Sequence, residues 1–527
     1  SQFLHHSKNR GASWEILSPD LTTNDPEKQK QATSGGLTID ATRAENYTTI
    51  TCIAPSKHDK STIWVGTDDG NVQLTRDGGT TWKNLNANIR SFRKGGWITQ
   101  IVVGQKAGEA FVVLNDYRRN HWEPYLYYTY NYGKSWENLV NDTEGMAHCH
   151  AVVQDAVQPD LLFLGTERGM YFSLDKGVNW QKWTNDFPSV PTIDLKIHPR
   201  EGDLIIGTFG RAAYILDDLS PLRQMCVSGP KLQNEAMVVF DAPDCYLATY
   251  KRPLGSRFGA DHLWSGKNKR NGAVFTAFFS EDAINANSEK AKVTVLNSAG
   301  DSIRTFKFEP DTGLTRFSWD LRSTGVFWPN RSERKDDALP GGGAEVAPGN
   351  YQVQVEWGDY KKNARVEVLN DPRVEFNTAL YASKSELSKQ LEDLVQKADS
   401  LFLLVRKHQR SIDLAEKNLE YINDTTFNGV ETRMDSVKTG LKDLELLYMT
   451  AADFKGYDHV SERLNSVLWN SLSFIESMNQ VDAPNAVNSL EYARDKVSAV
   501  DKEIQEFLNE QWQPLLEELE MNAILPK

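Results

Sequence analysis

His148 and His150 stand two residues apart, so an extended strand would turn both imidazoles to one side. A pair of imidazoles supplies part of a metal site, but no third ligand follows at metal-site spacing, and no metal is expected. Arg118 and Arg119 lie close to Trp122 and Tyr125. Guanidinium and aromatic rings side by side suit a glycan or a peptide, which offers both flat faces and hydrogen-bonding groups. Asp194, His198 and Arg211 form a second polar group further along. Two readings stand for these residues: a polar and aromatic funnel that binds a ligand, or ordinary satisfaction of strand ends.

Composition narrows the partners. The 527 residues carry 59 basic and 72 acidic side chains, a formal charge of −13, with no basic block, which sets nucleic acid and anionic membranes aside. The apolar runs are too short for a membrane-spanning helix, and Ser1 to Arg10 lack the apolar core of a signal peptide. Cys52, Cys149, Cys226 and Cys245 make no CxxC pair; Cys226 and Cys245 could be bridged in an oxidising compartment, or all four could be free thiols. Gly341-Gly342-Gly343 reads as a flexible loop, since neither a lysine nor a helix start follows to make a phosphate cradle. No cofactor is expected.

The elements that position these groups change character near Asp371-Pro372-Arg373. Only three of 35 glycines and three of 20 prolines lie beyond residue 373, so many short elements precede that point and long helices follow it. Within the front part an octapeptide recurs. Thr75, Asp77, Gly79 and Trp82 define it; Ser173, Asp175, Gly177 and Trp180 repeat it. Thr129, Asn131, Gly133 and Trp136, and Ser7, Asn9, Gly11 and Trp14, carry Asn for Asp. The copies begin 68, 54 and 44 residues apart. A four-stranded propeller blade takes about 40–50 residues, so each copy marks one blade. The chemistry is structural: hydroxyl and carboxylate or amide hold a tight turn, glycine supplies its unusual φ, and tryptophan wedges between sheets.

That octapeptide is the Asp-box, and residues 1–222 resemble bacterial Asp-box (BNR-repeat) propellers, the secreted group described as glycosyl-hydrolase-like or sortilin-like. Trp64-Val65-Gly66-Thr67-Asp68-Asp69-Gly70 and Phe163-Leu164-Gly165-Thr166-Glu167-Arg168-Gly169 are similar to that group's recurrent strand and turn. Ser18-Pro19-Asp20-Leu21-Thr22, Gly207-Thr208-Phe209-Gly210-Arg211, Trp319-Asp320-Leu321-Arg322 and Ala347-Pro348-Gly349-Asn350-Tyr351 are similar to its other fixed phrases. The resemblance implies an exported protein, extracellular, on the cell surface or in the periplasm. Asp-boxes lie at blade corners and carry no catalysis.

Residues 223–373 read as a linker followed by an Ig-like β-sandwich. Tyr351, Val353, Val355 and Trp357 alternate with Gln352, Gln354 and Glu356, and Ala364, Val366 and Val368 repeat the period of two. Residues 374–527 read as an antiparallel helical bundle. Its first seam runs Leu387, Leu391, Leu394, Ala398, Leu401, Val405, His408, Ile412, Ala415, Leu419 and Ile422, with His408 a structural histidine. Further seams run from Val430 to Tyr448, Val460 to Phe474 and Ala486 to Phe507, with connections at Asn423-Asp424, Gly456 and Pro484.

The fold class is therefore multidomain: partial β-propeller, Ig-like sandwich, helical bundle. Blades drawn at about 47–87, 97–139, 147–185 and 190–222, with the half-blade around Ser7, make about four and a half. A ring needs more, because open strand edges pair with other chains. The expectation is a C-terminal part of a longer protein whose remaining blades come from the N-terminal half of the same propeller, as a separate or cleaved chain. Two functions follow. One is a non-catalytic platform for recognising a surface glycan or protein. The other is a secreted glycoside hydrolase sharing its active site with the missing blades, which would need two facing carboxylates. No arginine triad of the sialidase kind is assignable.

Overall fold

The computed structural model describes residues 1–27, 29–30, 47–90, 92–140, 144–229, 235–248, 269–422, 428–456, 462–522 and 524–525. The chain forms two compact units, Ser1–Glu235 and Ala236–Lys527.

The first unit is a succession of small antiparallel sheets, each built from consecutive strands. A two-stranded pair, β1 (His5–His6) and β2 (Glu15–Ile16), comes first. Three four-stranded sheets follow: β3 (Ile50–Pro55), β4 (Ile63–Thr67), β5 (Val72–Thr75) and β6 (Lys83–Asn84); β7 (Trp97–Val103), β8 (Ala110–Asp116), β9 (His121–Thr129) and β10 (Glu137–Asn138); β11 (Cys149–Gln154), β12 (Leu162–Thr166), β13 (Gly169–Ser173) and β14 (Gln181–Lys182). A three-stranded sheet, β15 (Thr192–Ile197), β16 (Leu204–Thr208) and β17 (Ala213–Leu216), is the last.

Alternation along the central strands explains the stacking. Every residue of β8 is buried, because both faces are covered. Val112 and Leu114 pack with Trp64 of β4, whereas Phe111 and Val113 pack with Leu162 and Leu164 of β12. Val65 turns away from Trp64 to meet Leu4 and Leu21.

The four octapeptides share one set of hydrogen bonds. The glycine N–H donates to the leading hydroxyl: Gly11 to Ser7 at 2.7 Å, Gly79 to Thr75 at 2.9 Å, Gly133 to Thr129 at 3.0 Å and Gly177 to Ser173 at 2.8 Å. The N–H two residues beyond donates to the Asp or Asn oxygen, at 2.8 Å to Asn9, 2.9 Å to Asp77, 3.0 Å to Asn131 and 2.8 Å to Asp175. The turn needs positive φ at each of these glycines, between 73° and 97°. Trp82, Trp136 and Trp180 each enter the core shared with the preceding sheet, while Trp14 stays 62% exposed.

Helix α1 (Ser220–Ser228) ends this unit, so the junction expected at 222/223 falls inside it. Pro221 and Leu222 are buried, and Arg223 holds the buried Asp155 through Nε at 3.1 Å and Nη2 at 2.7 Å.

In the second unit, β18 (Met237–Val239), β20 (Ala273–Phe279) and β23 (Gly313–Trp319) form one sheet. β19 (Cys245–Leu247), β21 (Ala291–Leu296), β22 (Ser302–Phe308), β26 (Gly349–Trp357) and β27 (Tyr360–Asn370) form another, in the order β19-β27-β26-β21-β22. A short helix, α2 (Glu281–Ala286), follows β20. The two sheets share a core of Phe275, Phe279, Phe317, Trp319, Val293, Val353, Val355, Trp357 and Val366. The pairing of β19 with β27 is parallel. Gly342 and Gly343, read as loop in the sequence, lie in β25 (Gly342–Glu345), which pairs with β24 (Arg322–Thr324).

The helices are α3 (Thr378–Ile422), α4 (Asn428–Leu446), α5 (Leu464–Glu476), α6 (Pro484–Phe507) and α7 (Gln513–Met521). Leu391, Ala398, Leu401, Val405, Ile412, Ala415 and Leu419 of the expected seam are buried in their common core, together with Val395 and Phe402, which lie off it. Asn423, Asp424 and Val460 fall outside the described residues. His408 packs its ring 4.5 Å from that of Trp512. Trp328 stacks on Trp469 at 4.5 Å, and Arg331–Glu445 and Arg334–Asp399 ion pairs tie the segment after β24 to the helices.

Cys52, Cys149, Cys226 and Cys245 are free thiols, Cys226 in the first unit and Cys245 in the second. Burial pushes the Cys52 and Cys149 thiols up to about 12, which keeps both protonated at physiological pH. No helix among the described residues is long and apolar enough to cross a membrane.

Candidate functional site

The β8–β9 hairpin separates its two arginines by task. Asp116 closes β8 with its carboxylate 3% exposed, and it accepts from Arg93 Nε at 2.7 Å and from Arg119 Nε at 2.6 Å and Nη2 at 2.9 Å. Arg119 also donates to the Lys94 carbonyl at 2.7 Å, so it clamps the hairpin. Arg118 lies over the Trp97 ring at 3.9 Å and the Tyr117 ring at 4.5 Å, a cation on two aromatic faces. Asn120, with φ of 57°, reverses the chain and accepts from Trp122 Nε1 at 3.0 Å. Trp122 is 56% exposed, with its ring 6.1 Å from Tyr117 and 5.6 Å from His148.

His148 immediately precedes β11 and His150 is its second residue, with a bulge between Cys149 and Ala151. Their rings meet edge to face at 4.9 Å. Glu167, just past β12, reaches both: its Oε2 is 2.9 Å from His150 Nε2 and 3.6 Å from His148 Nε2. Glu167 thus comes to the two imidazoles across the strand pair, not along the chain. Burial, then the neighbouring His150, drives the His148 pKa down to about 4, with Glu167 opposing, so the imidazole is neutral at physiological pH.

The scaffold beneath this group is general, and the side chains are particular to it. The Glu167 N–H donates to the His148 carbonyl at 3.1 Å, as Asp68 N–H does to Thr49 at 3.0 Å and Phe209 N–H to Pro191 at 2.9 Å. In β7–β8 the corresponding register pairs Trp97 with Asn115. One backbone position therefore presents Thr49, Trp97, His148 and Pro191 in successive sheets. Aligning the Gly-Thr phrases Gly66-Thr67-Asp68 and Gly165-Thr166-Glu167 would have marked Glu167 as a variable position; Tyr117, Trp97 and Asp116 carried no such signal.

Arg118, Trp122 and His148 are thus brought together around Tyr117, and His150 joins them through the His148 ring. Among the described residues no hydrogen bond or ring contact joins Asp194, His198 or Arg211 to them. Asp194 accepts from the adjacent Leu195 N–H at 2.9 Å, His198 Nδ1 accepts from Glu201 N–H at 3.1 Å, and Arg211 is exposed. An open groove of about 1190 Å³ is lined by Tyr128, Lys176, Trp180 and Lys182, none of which belongs to the His–Glu group. Chemically, the gathered group offers an indole face, a guanidinium, and two imidazoles with a carboxylate.

No protein-family model matches the chain, and no curated protein matches it. Among solved structures it is similar to YCF48 bound to D1 peptide, at 18% identity over 32% of this chain and 51% of that one, with a TM-score of 0.25. It is similar to YCF48 from Cyanidioschyzon merolae at 19% identity over 32% and 52%, with a TM-score of 0.24. It is also similar to an ancestral GH74 enzyme at 12% identity over 69% and 43%, with a TM-score of 0.30. The chain spans about half the length of the first two and 43% of the third.

Proposed function

We propose that the sheets of the first unit are blades of an Asp-box propeller, and that the chain is a non-catalytic recognition and assembly platform. In this reading the protein is exported, to the cell surface, the periplasm or the medium, with its Ig-like sandwich and helical bundle as docking modules. The ring is completed by further β-sheet from the N-terminal half of the same propeller, held as a separate or cleaved chain. Its ligand is a surface glycan or a protein segment bound beside Trp122 and Arg118.

One observation carries this reading. Leu204-Ile205-Ile206-Gly207-Thr208 of β16 repeats Leu162-Phe163-Leu164-Gly165-Thr166 of β12 and Ile63-Trp64-Val65-Gly66-Thr67 of β4. Phe163 is 0% and Trp64 1% exposed, each on the face toward the following sheet, whereas Ile205 is 38% exposed. Ile193 and Ile215 on the same sheet are 47% and 63% exposed. A Cβ on Gly66 would strike Ile98 of the next sheet, and one on Gly165 would strike Thr192 of the next; on Gly207 it would meet only Asp194 of its own sheet, at 3.5 Å. An apolar sheet face built like two covered ones supports a covering sheet. The two carboxylates beside the candidate site, among the described residues, are already engaged, Asp116 by two arginines and Glu167 by His150.

Native mass spectrometry of material from its source, with a denaturing gel of the same sample, tests the proposal. A stoichiometric second polypeptide carrying its own octapeptides is expected. A lone chain at 59.5 kDa would count against it. Protease accessibility in intact cells checks export separately, with protection behind the cytoplasmic membrane as the contrary result.

A further inference from the structure

We infer that His148, His150 and Glu167 hold a divalent first-row transition-metal ion. Their ligand atoms all lie within 4.8 Å of one another. Ligands at about 2.0–2.2 Å from a tetrahedral zinc sit about 3.4 Å from each other. The separations of 2.9 and 3.6 Å from Glu167 Oε2 to the two imidazoles bracket that value.

A second observation separates this group from ordinary strand-end satisfaction. The backbone bond that joins Glu167 to His148 recurs between Asp68 and Thr49 and between Phe209 and Pro191. Asp68 there accepts from its own partner, Thr49 N–H at 2.8 Å and Oγ1 at 3.0 Å, and Phe209 and Pro191 have no side-chain polar atom at all. The turn therefore forms without imidazoles. Placing two of them at this turn, with side chains only 3% and 15% exposed, and aiming both at one carboxylate, is not required by the fold.

The donor set selects the ion. Two imidazoles and one carboxylate suit zinc, cobalt, nickel or ferrous iron; calcium and magnesium prefer all-oxygen shells and cuprous copper prefers thiolate. Tyr117 at 4.9 Å and Trp122 at 5.6 Å pack on the His148 ring and fix its plane. The positive Arg118 nearby works against a cation, and Glu167 offsets it. Three protein ligands leave a coordination position for water or for a donor atom of a bound partner. The site is independent of whether the propeller is completed by another chain.

Titrating Co2+ and Zn2+ into the full chain, followed by calorimetry and by the visible cobalt spectrum, tests the inference. One ion per chain is expected, with Glu167→Gln and His150→Ala each weakening binding at least tenfold and abolishing the tetrahedral cobalt band. His5→Ala/His6→Ala, which removes the exposed pair of β1, should leave it unchanged. Glu167 is 42% exposed, so its amide variant is expected to keep the wild-type circular dichroism. Should it unfold, the Nε2 resonances of His148 and His150 in the wild-type chain decide: both move on adding Zn2+ if the site is real. Binding of equal strength in Glu167→Gln, binding lost with His5 and His6, or unmoved resonances would overturn it.

Discussion

Gly133 is seated on Leu85: a Cβ at Gly133 would lie 2.5 Å from Leu85 Cδ1. The same seat joins Gly79 to Leu17 at 2.6 Å and Gly177 to Leu139 at 2.9 Å. Each leucine is the third residue past the tryptophan of the preceding octapeptide, so one octapeptide supplies the seat and the next supplies the glycine that fits it. The repeat thereby sets sheet-to-sheet spacing as well as a turn.

Gly133→Ala should destabilise the first unit by about 2–4 kcal/mol, combining strain at positive φ with overpacking against Leu85. Thermal unfolding followed by circular dichroism measures it. Adding Leu85→Ala should recover part of the loss, because the two residues share one contact. A strictly additive double variant would contradict the seat.

Asp77 predicts an acid-sensitive turn. Its carboxylate accepts from the Thr81 hydroxyl, the Thr81 N–H and the Thr75 hydroxyl, which hold its pKa down at about 2. A pKa below the unfolded value of about 3.9 means that its contribution is present above about pH 4 and is lost as the pH falls toward 2. Asp77→Asn should keep the turn at pH 7, since Asn9 and Asn131 make the same bond. It should also show a shallower loss of urea midpoint between pH 4 and pH 2 than the wild type.

Gly440 of α4 faces Phe507 of α6 so closely that a Cβ would collide with the ring. Alanine gains about 1 kcal/mol of helix propensity there, but overpacking costs about 1–3 kcal/mol. Gly440→Ala should therefore be net destabilising, by up to about 2 kcal/mol, in chemical denaturation. In a Phe507→Leu background the same change should turn neutral or stabilising.

What could be read from the chain and what could not divides by distance along it. The octapeptide bonds all close within eight residues, so residue type alone locates Thr75, Asp77 and Gly79. The α3 stripe is legible for the same reason, as a local period. Phe402 and Val395 escaped because α3 is covered on more than one side, which widens its buried face beyond the stripe. Glu167 escaped because it meets its imidazoles across an antiparallel pair, 17 and 19 residues away. The β19–β27 pair joins residues more than a hundred apart, and Gly342 becomes strand only through its partner Arg322–Thr324 segment. Arg118 and Arg119 look alike in sequence; only the direction of each side chain makes one a clamp on Asp116 and the other an exposed cation.

The central claim is that the apolar face of β15–β17 is covered by another sheet, and Ile205 tests it most directly. Ile205→Asp with Ile215→Asp, expressed in the source cells, should give a folded chain with the wild-type unfolding midpoint that no longer co-purifies with a second β-rich polypeptide in native mass spectrometry. Phe163→Asp, the same change at the covered position, should fail to fold. An Ile205→Asp/Ile215→Asp chain that keeps its partner in full, or a wild-type chain that never has one, would contradict the account.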